Sequence, residues 1–284
     1  MTAMSSSAAE RRGIVRGLGS ATYLAISGLI AIAFVLPLVW TAVSSVAVGP
    51  GEGAPGITLE HYQRLMSFGA GLPTYLANTL VVVAVTVLSS VVVSVLGGYA
   101  FSRFKFPGKQ VLFAATLAIL MVPHATILIP LYVLLGAVKL TNSLVGLGLV
   151  MVMFQLPFSI FMMRNSFDAV PRQLEEAALV DGCTSFGALT RVLLPAVMPG
   201  IVTVVLFAFL TGWNEFISAL ILLNDGANYT LPVALVSLVQ GDWGQVDFGA
   251  LQAGVVVSAV PCLLLFFVLQ RAYMSGFTTG AIKG

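Results

Sequence analysis

Apolar positions fall into six long runs, about Ala21–Val46, Tyr75–Phe101, Val111–Leu135, Ser143–Met163, Ala196–Leu223 and Ala250–Leu269. Each meets the roughly 20 apolar residues that a helix needs to cross a hydrocarbon core about 30 Å thick. The pattern predicts an all-α membrane protein of six transmembrane helices with both termini on one side. The third run contains Pro123 and Pro130, and each removes a backbone donor, so kinks are expected there. Ala47–Pro73 is rich in Gly and Pro and reads as an external loop with a short helix at Leu59–Met66. After the fifth run an outer loop carrying Asp225, Asp242 and Asp247 is expected. The first run is longer than the roughly 7–15-residue core of a signal peptide, which favours a retained helix over a cleaved leader. Residues 1–20, with Arg11, Arg12 and Arg16, are expected to form a mobile cytoplasmic tail, and 21–284 a single transmembrane domain.

The break between the fourth and fifth runs is of another kind. Residues 164–195 hold Arg164, Asp168, Arg172, Glu175, Glu176, Asp181 and Arg191, whereas connections between packed helices are usually only about 2–8 residues long. Pro171 suits a first helical position, where its missing donor costs nothing. Glu175 and Glu176 lie early in the helix, where the dipole favours them. Ala177, Ala178 and Leu179 are good helix formers, and Gly182 is a natural left-handed stop. Thr184 or Ser185 is placed to cap a second helix, whose Phe186, Leu189 and Leu193 share one apolar stripe. The insert is therefore expected to be two short helices joined at a glycine. The residues alone leave two readings open, an amphipathic hairpin on the membrane surface and a docking knob for a partner.

Charge distribution adds orientation. Charged residues are 8% of the chain, against roughly 25% in soluble domains, which excludes a soluble protein. Of the 13 Lys and Arg residues, all but Arg64 and Lys139 fall on the side of the termini and the insert. That asymmetry places this side in the cytoplasm. No basic patch interleaved with aromatics points to nucleic acid. Cys183 and Cys262 fit neither a disulfide framework nor a metal site, and His61 and His124 have no ligand spacing. Cys183 reads as a small packing residue beside Gly182.

Glu176-Ala177-Ala178, then Gly182, then Val192-Leu193-Leu194-Pro195 resembles the EAA motif of the permease subunits of bacterial ABC importers, with Val192 in place of a more usual isoleucine. Tyr99–Gly108 is similar to the loop after the second span of carbohydrate-type permeases, Trp213-Asn214-Glu215-Phe216 to their fifth span, and Gln270-Arg271 with Gly280–Gly284 to their C-terminus. Within that family the chain looks like the smaller, maltose-type permease. The resemblance covers the chain beyond its first 20 or so residues. It implies an insert that seats in a cleft on an ATP-hydrolysing subunit, with Glu176, Ala177, Ala178, Asp181, Gly182, Leu194 and Pro195 as coupling residues. It implies as partners a second permease subunit, two copies of an ATP-binding subunit, an extracytoplasmic solute-binding protein and membrane lipid, in a bacterial cytoplasmic membrane. ATP and Mg belong to the partner subunits. This chain has no G-x-x-x-x-G-K-[ST] loop, so it is expected to be a transport subunit and not an enzyme.

Polar residues inside spans are costly and tend to be functional. Glu215 is the one carboxylate within a predicted span, and Asn78, His124, Gln155 and Asn214 are the other intramembrane candidates for a translocation path. The bland alternative is glue between helices. Trp40 and Trp213 suit an outer interfacial belt, and Trp243 the outer loop. A sugar or related solute is expected. A permease of the same fold for a glycerol phosphodiester or polyamine is the alternative, but the spans contain no Lys or Arg to line a phosphate path. An ion-coupled secondary transporter would need internal repeats, and none is evident.

Overall fold

A computed structural model of the chain describes residues 4–48, 56–240 and 247–281, with side chains over 23–48, 56–239 and 247–270. Glu52, Asp242, Trp243 and residues 282–284 of the predicted tail lie outside the described residues. The elements are α1 (Met4–Ser44), α2 (Glu60–Ser67), α3 (Leu72–Arg103), α4 (Lys109–Ala118), α5 (His124–Ala137), α6 (Leu144–Ala169), α7 (Arg172–Val180), α8 (Ser185–Ala188), α9 (Leu194–Ala196), α10 (Met198–Trp213), α11 (Ile217–Leu222), α12 (Leu231–Gln240) and α13 (Phe248–Ala281). Among the described residues the only β feature is an isolated bridge, Ala47 to Ile57. α1 begins inside the predicted tail, so residues 4–20 continue the first span as helix.

Among the described residues four helices are long and apolar enough to cross a membrane, and two bent pairs raise the number to six if each pair is one span. The first bent pair is α4, its 3-10 extension Ile119–Met121, and α5, which meet at 103°. The turn falls at Pro123, where a kink was expected. Pro130 sits inside α5 without interrupting it, because a single lost bond leaves the rest of the helical ladder intact. The second bent pair joins the end of the insert to α10 at 77°.

α3 and α6 form the centre. Their close approach depends on Gly98, where a Cβ would stand 2.5 Å from the Cβ of Met163 and 2.8 Å from the Arg164 nitrogen. α10 packs on both. One core cluster gathers Leu65, Tyr75, Trp213, Leu231 and Ala250 at the end away from the insert. A second joins Val82, Leu128, Met151 and Leu222. A third, at the insert end, joins Val95, Tyr99, Met163 and Phe167 to Leu189, Leu193 and Val197.

Three expectations are corrected. The predicted fifth span is not one helix. α10 stops at Trp213 and α11 restarts at Ile217. The Asn214 amide donates to the Leu210 carbonyl at 3.0 Å, and a Glu215 carboxylate oxygen accepts from the Ser218 nitrogen at 2.6 Å, so these side chains close one helix and open the next. The predicted outer loop contains α12, whose Leu231, Val233 and Ala234 are buried. Ten residues of helix rise only about 15 Å, too short to register as a span. Thr79 accepts from the Leu231 nitrogen at 2.8 Å and fixes the start of α12. Trp213, expected at the lipid interface, is 1% exposed and donates from its indole nitrogen to the Ser258 carbonyl at 3.0 Å. Trp40, by contrast, is 68% exposed.

Candidate functional site

The insert folds as its residues dictate. Pro171 precedes α7, and Gly182 ends it with φ +88°. The Cys183 nitrogen donates to the Ala178 carbonyl at 3.0 Å and the Gly182 nitrogen to the Leu179 carbonyl at 3.1 Å. This pair of reversed bonds closes a helix through a left-handed residue. Thr184 caps α8, accepting from the Gly187 nitrogen at 3.1 Å. Residues Leu189–Leu193 then form a π turn before α9, and wide i→i+5 turns of this kind are common at functional positions. The turn alters the expected stripe. Leu189 and Leu193 are buried along with Ala188, while Phe186 is 69% exposed. Ala188 and Leu193 are five apart, the spacing that a π turn brings onto one face.

α7 has two unlike faces. Ala178 is its buried residue, and Glu175 is half-buried beside it. Glu176, Ala177, Asp181 and Gly182 are exposed, as are Leu179, Val180 and Phe186 nearby. A Cβ at Gly182 would meet nothing within 4 Å, so within this chain only the left-handed backbone demands glycine there. Further along, Leu194 is half-buried and Pro195 exposed. Cys183 is half-buried and free.

Glu175 turns inward, onto the end of α3. The Tyr99 hydroxyl donates to one carboxylate oxygen at 2.6 Å, and Arg103 pairs with the other at 3.1 Å. Arg103 also donates to the Val170 carbonyl at 2.9 Å. The Tyr99 ring lies edge-on to Phe167 of α6, with centroids 5.6 Å apart. Beside it Ser102 donates to Asp168 at 2.6 Å, and Arg164 pairs with Asp168 at 3.5 Å. Glu175, Tyr99 and Arg103 are not among the residues expected from the sequence to form the site. A cation at a helix end, Arg103, and a second carboxylate beside Glu176 are visible in the sequence, but neither identifies the other as its partner.

The intramembrane candidates are placed as follows. The Asn78 amide donates to the carbonyls of Ala227 and Tyr229 at 2.8 and 3.0 Å, just ahead of α12. His124 begins α5 after the Pro123 turn and stacks on Phe154, with centroids 4.2 Å apart. Gln155 of α6 is buried, donates to Ser159 at 3.3 Å and accepts from Thr211 of α10 at 3.0 Å. Asn214, exposed, and Glu215, half-buried, adjoin in the break between α10 and α11. Thr211 was not among the predicted residues; a lone threonine in an apolar run gives no signal of its own. Among the described residues no three His, Cys, Asp or Glu side chains gather as metal ligands.

Comparison with known proteins adds relatives to this geometry. The family described as "Binding-protein-dependent transport system inner membrane component" matches residues 90–274. The chain is 37% identical over 230 residues to the diacetylchitobiose uptake system permease protein DasC of Streptomyces coelicolor, covering 80% of this chain and 82% of that one. It is 31% identical over 262 residues to the trehalose/maltose transport system permease protein MalG of Thermococcus litoralis, covering 90% and 94%. In fold it is similar to a chain of a bacterial ABC transporter involved in import of the acidic polysaccharide alginate, with a TM-score of 0.77 at 23% identity over 92% of this chain and 97% of that one.

Proposed function

The chain belongs to the family of binding-protein-dependent transport system inner membrane components, and from that membership we propose that it forms one half of the translocation pathway of an ABC importer for a sugar. It is a multi-pass protein of the cytoplasmic membrane and a transport subunit, not an enzyme. It works with a binding protein and with other transporter components.

In this reading α1, α3, α4 with α5, α6, α10 continued by α11, and α13 are six spans, and Ser185–Ala196, bent 77° from α10, stays with the insert outside the membrane. The insert and both termini lie in the cytoplasm, which the one-sided distribution of Lys and Arg supports. A second permease subunit completes the path, and two copies of an ATP-binding subunit hold ATP and Mg.

The observation that carries the proposal is the two-faced α7 in a chain of this family. Its outer face offers Glu176, Ala177, Asp181 and Gly182 with apolar Leu179, Val180 and Phe186 around them. An apolar patch with a polar rim and small central residues suits a protein partner that approaches closely. Motion imposed there passes through Leu193, Leu194 and Pro195 into α10. The solute path draws on Asn78, His124, Gln155, Asn214 and Glu215. The amides and the hydroxyl at Gln155, Asn214 and Thr211 suit sugar hydroxyls, and the relatives' uptake of diacetylchitobiose and of trehalose and maltose supports the same class.

The test is reconstitution of the chain with its second permease, ATPase and binding protein in lipid vesicles, followed by ATP hydrolysis and uptake across a panel of sugars, glycerol phosphodiesters and polyamines. A sugar is expected to stimulate both. Stimulation by a phosphodiester or polyamine alone would overturn the sugar assignment.

A further inference from the structure

The two adjacent carboxylates of α7 have opposite surroundings. Glu176 is exposed, while the Glu175 carboxylate is 14% exposed and its partner Arg103 only 5%. We propose that Glu175 is a positioning residue for transport, which anchors α7 to the end of α3 so that displacement of the insert reaches α3 and α6 as well as α10.

Besides Glu175, Arg172 at the start of α7 reaches α3, donating to the Ser102 carbonyl at 3.3 Å, but that bond lies at the very first residue of the helix. Ala178 is its buried residue, and one methyl group buries too little apolar area to fix the orientation of a helix nine residues long. The carboxylate supplies what packing does not. The Tyr99 hydroxyl donates to one oxygen and Arg103 forms an ion pair with the other, so the carboxylate is held by one directional bond and one charge contact. Tyr99 and Arg103 are four apart on α3 and therefore share a face. Both are held in place, Tyr99 by the Phe167 ring and Arg103 by the Val170 carbonyl. The ion pair is nearly buried, and losing either member strands a charge in a poorly hydrated place.

The insert then has two outlets. One is covalent, through the π turn and α9 into α10. The other is polar, through Glu175 into α3, which Gly98 locks against α6. With only the first outlet, a push on α7 would be absorbed by rotation at its ends, Val170 and Gly182. With both, it displaces α10 against the α3–α6 pair. The bond between Gln155 and Thr211 lies across that boundary.

The anchor itself is independent of which partner docks, but its role in transport rests on the ATPase reading above. Amide hydrogen exchange of the full chain in lipid nanodiscs tests the anchor directly. Glu175→Ala is expected to raise exchange in α7 about tenfold while α3 and α6 stay protected. The charge swap Arg103→Glu with Glu175→Arg is expected to restore protection, and Tyr99→Phe to fall between. In the co-expressed complex, Glu175→Ala is expected to retain the ATPase while solute moved per ATP hydrolysed falls about fivefold, with partial recovery in the swap. Exchange in α7 that is indifferent to Glu175 overturns the anchor. Uptake and hydrolysis falling in parallel, at a constant ratio, overturns its role in transport. Failure of the wild-type chain to bind an ATPase would sink the docking reading, and the exchange result would still decide the anchor.

Discussion

Gln155 of α6 accepts a hydrogen bond from Thr211 of α10 at 3.0 Å, inside the membrane-spanning bundle. Hydrogen bonds between membrane helices average only about 0.6 kcal/mol. Removing this one with Thr211→Val is therefore expected to leave the melting temperature almost unchanged. The same change removes a polar group from the proposed path. Uptake is expected to show a raised KM for the sugar, with Thr211→Ser close to wild type. A large loss of thermal stability with unaltered KM would make the pair structural glue.

Gly182 has φ +88° and open space around its missing side chain. Substitution there meets a backbone cost and no steric clash within the chain, so the residue types rank by their tolerance of the left-handed region. Gly182→Asn is expected to cost little. Gly182→Val is expected to cost about 1–3 kcal/mol, because a β-branched residue is strained there, and to loosen the last turn of α7. Exchange rates at Asp181, Gly182 and Cys183 read the effect.

The Asn78 amide satisfies two carbonyls, of Ala227 and Tyr229, ahead of α12. Asn78→Leu leaves both without that donor and is expected to cost about 1–3 kcal/mol. The loss would appear as lower thermal stability in detergent and exposure of α12 to proteolysis. A shift in which sugar is preferred, with stability unchanged, would place Asn78 on the solute path instead.

The long apolar helices were legible because twenty-residue runs have no soluble counterpart, and the turn at Pro123 because proline leaves a local mark. Gly182 was legible for the same reason, and its φ and reversed hydrogen bonds follow from its place at the end of the helix that Ala177, Ala178 and Leu179 favour. What hydropathy does not distinguish is whether an apolar side chain meets lipid or protein. Trp213 reads equally well as an interface anchor and as the core residue it is. α12 was hidden because ten residues, eight of them apolar, are too few to span, although they suffice to fill a core. The break after α10 carries no proline or glycine; it depends on Asn214 and Glu215 bonding to their own backbone neighbours. The inward role of Glu175 was hidden because its partners are 72 and 76 residues away, at Arg103 and Tyr99, and no local pattern announces them.

In the proposed mechanism the outer face of α7 receives the ATPase. Ala177 tests it best, being exposed and in a helix interior where arginine is well tolerated. The decisive measurement is retention of the ATPase subunit on the affinity-tagged complex, wild type against Ala177→Arg, with the melting temperature of the permease recorded for both. Equal melting temperatures are expected, with an ATPase held by the wild type but lost from Ala177→Arg. An ATPase retained equally by both would contradict docking at that face.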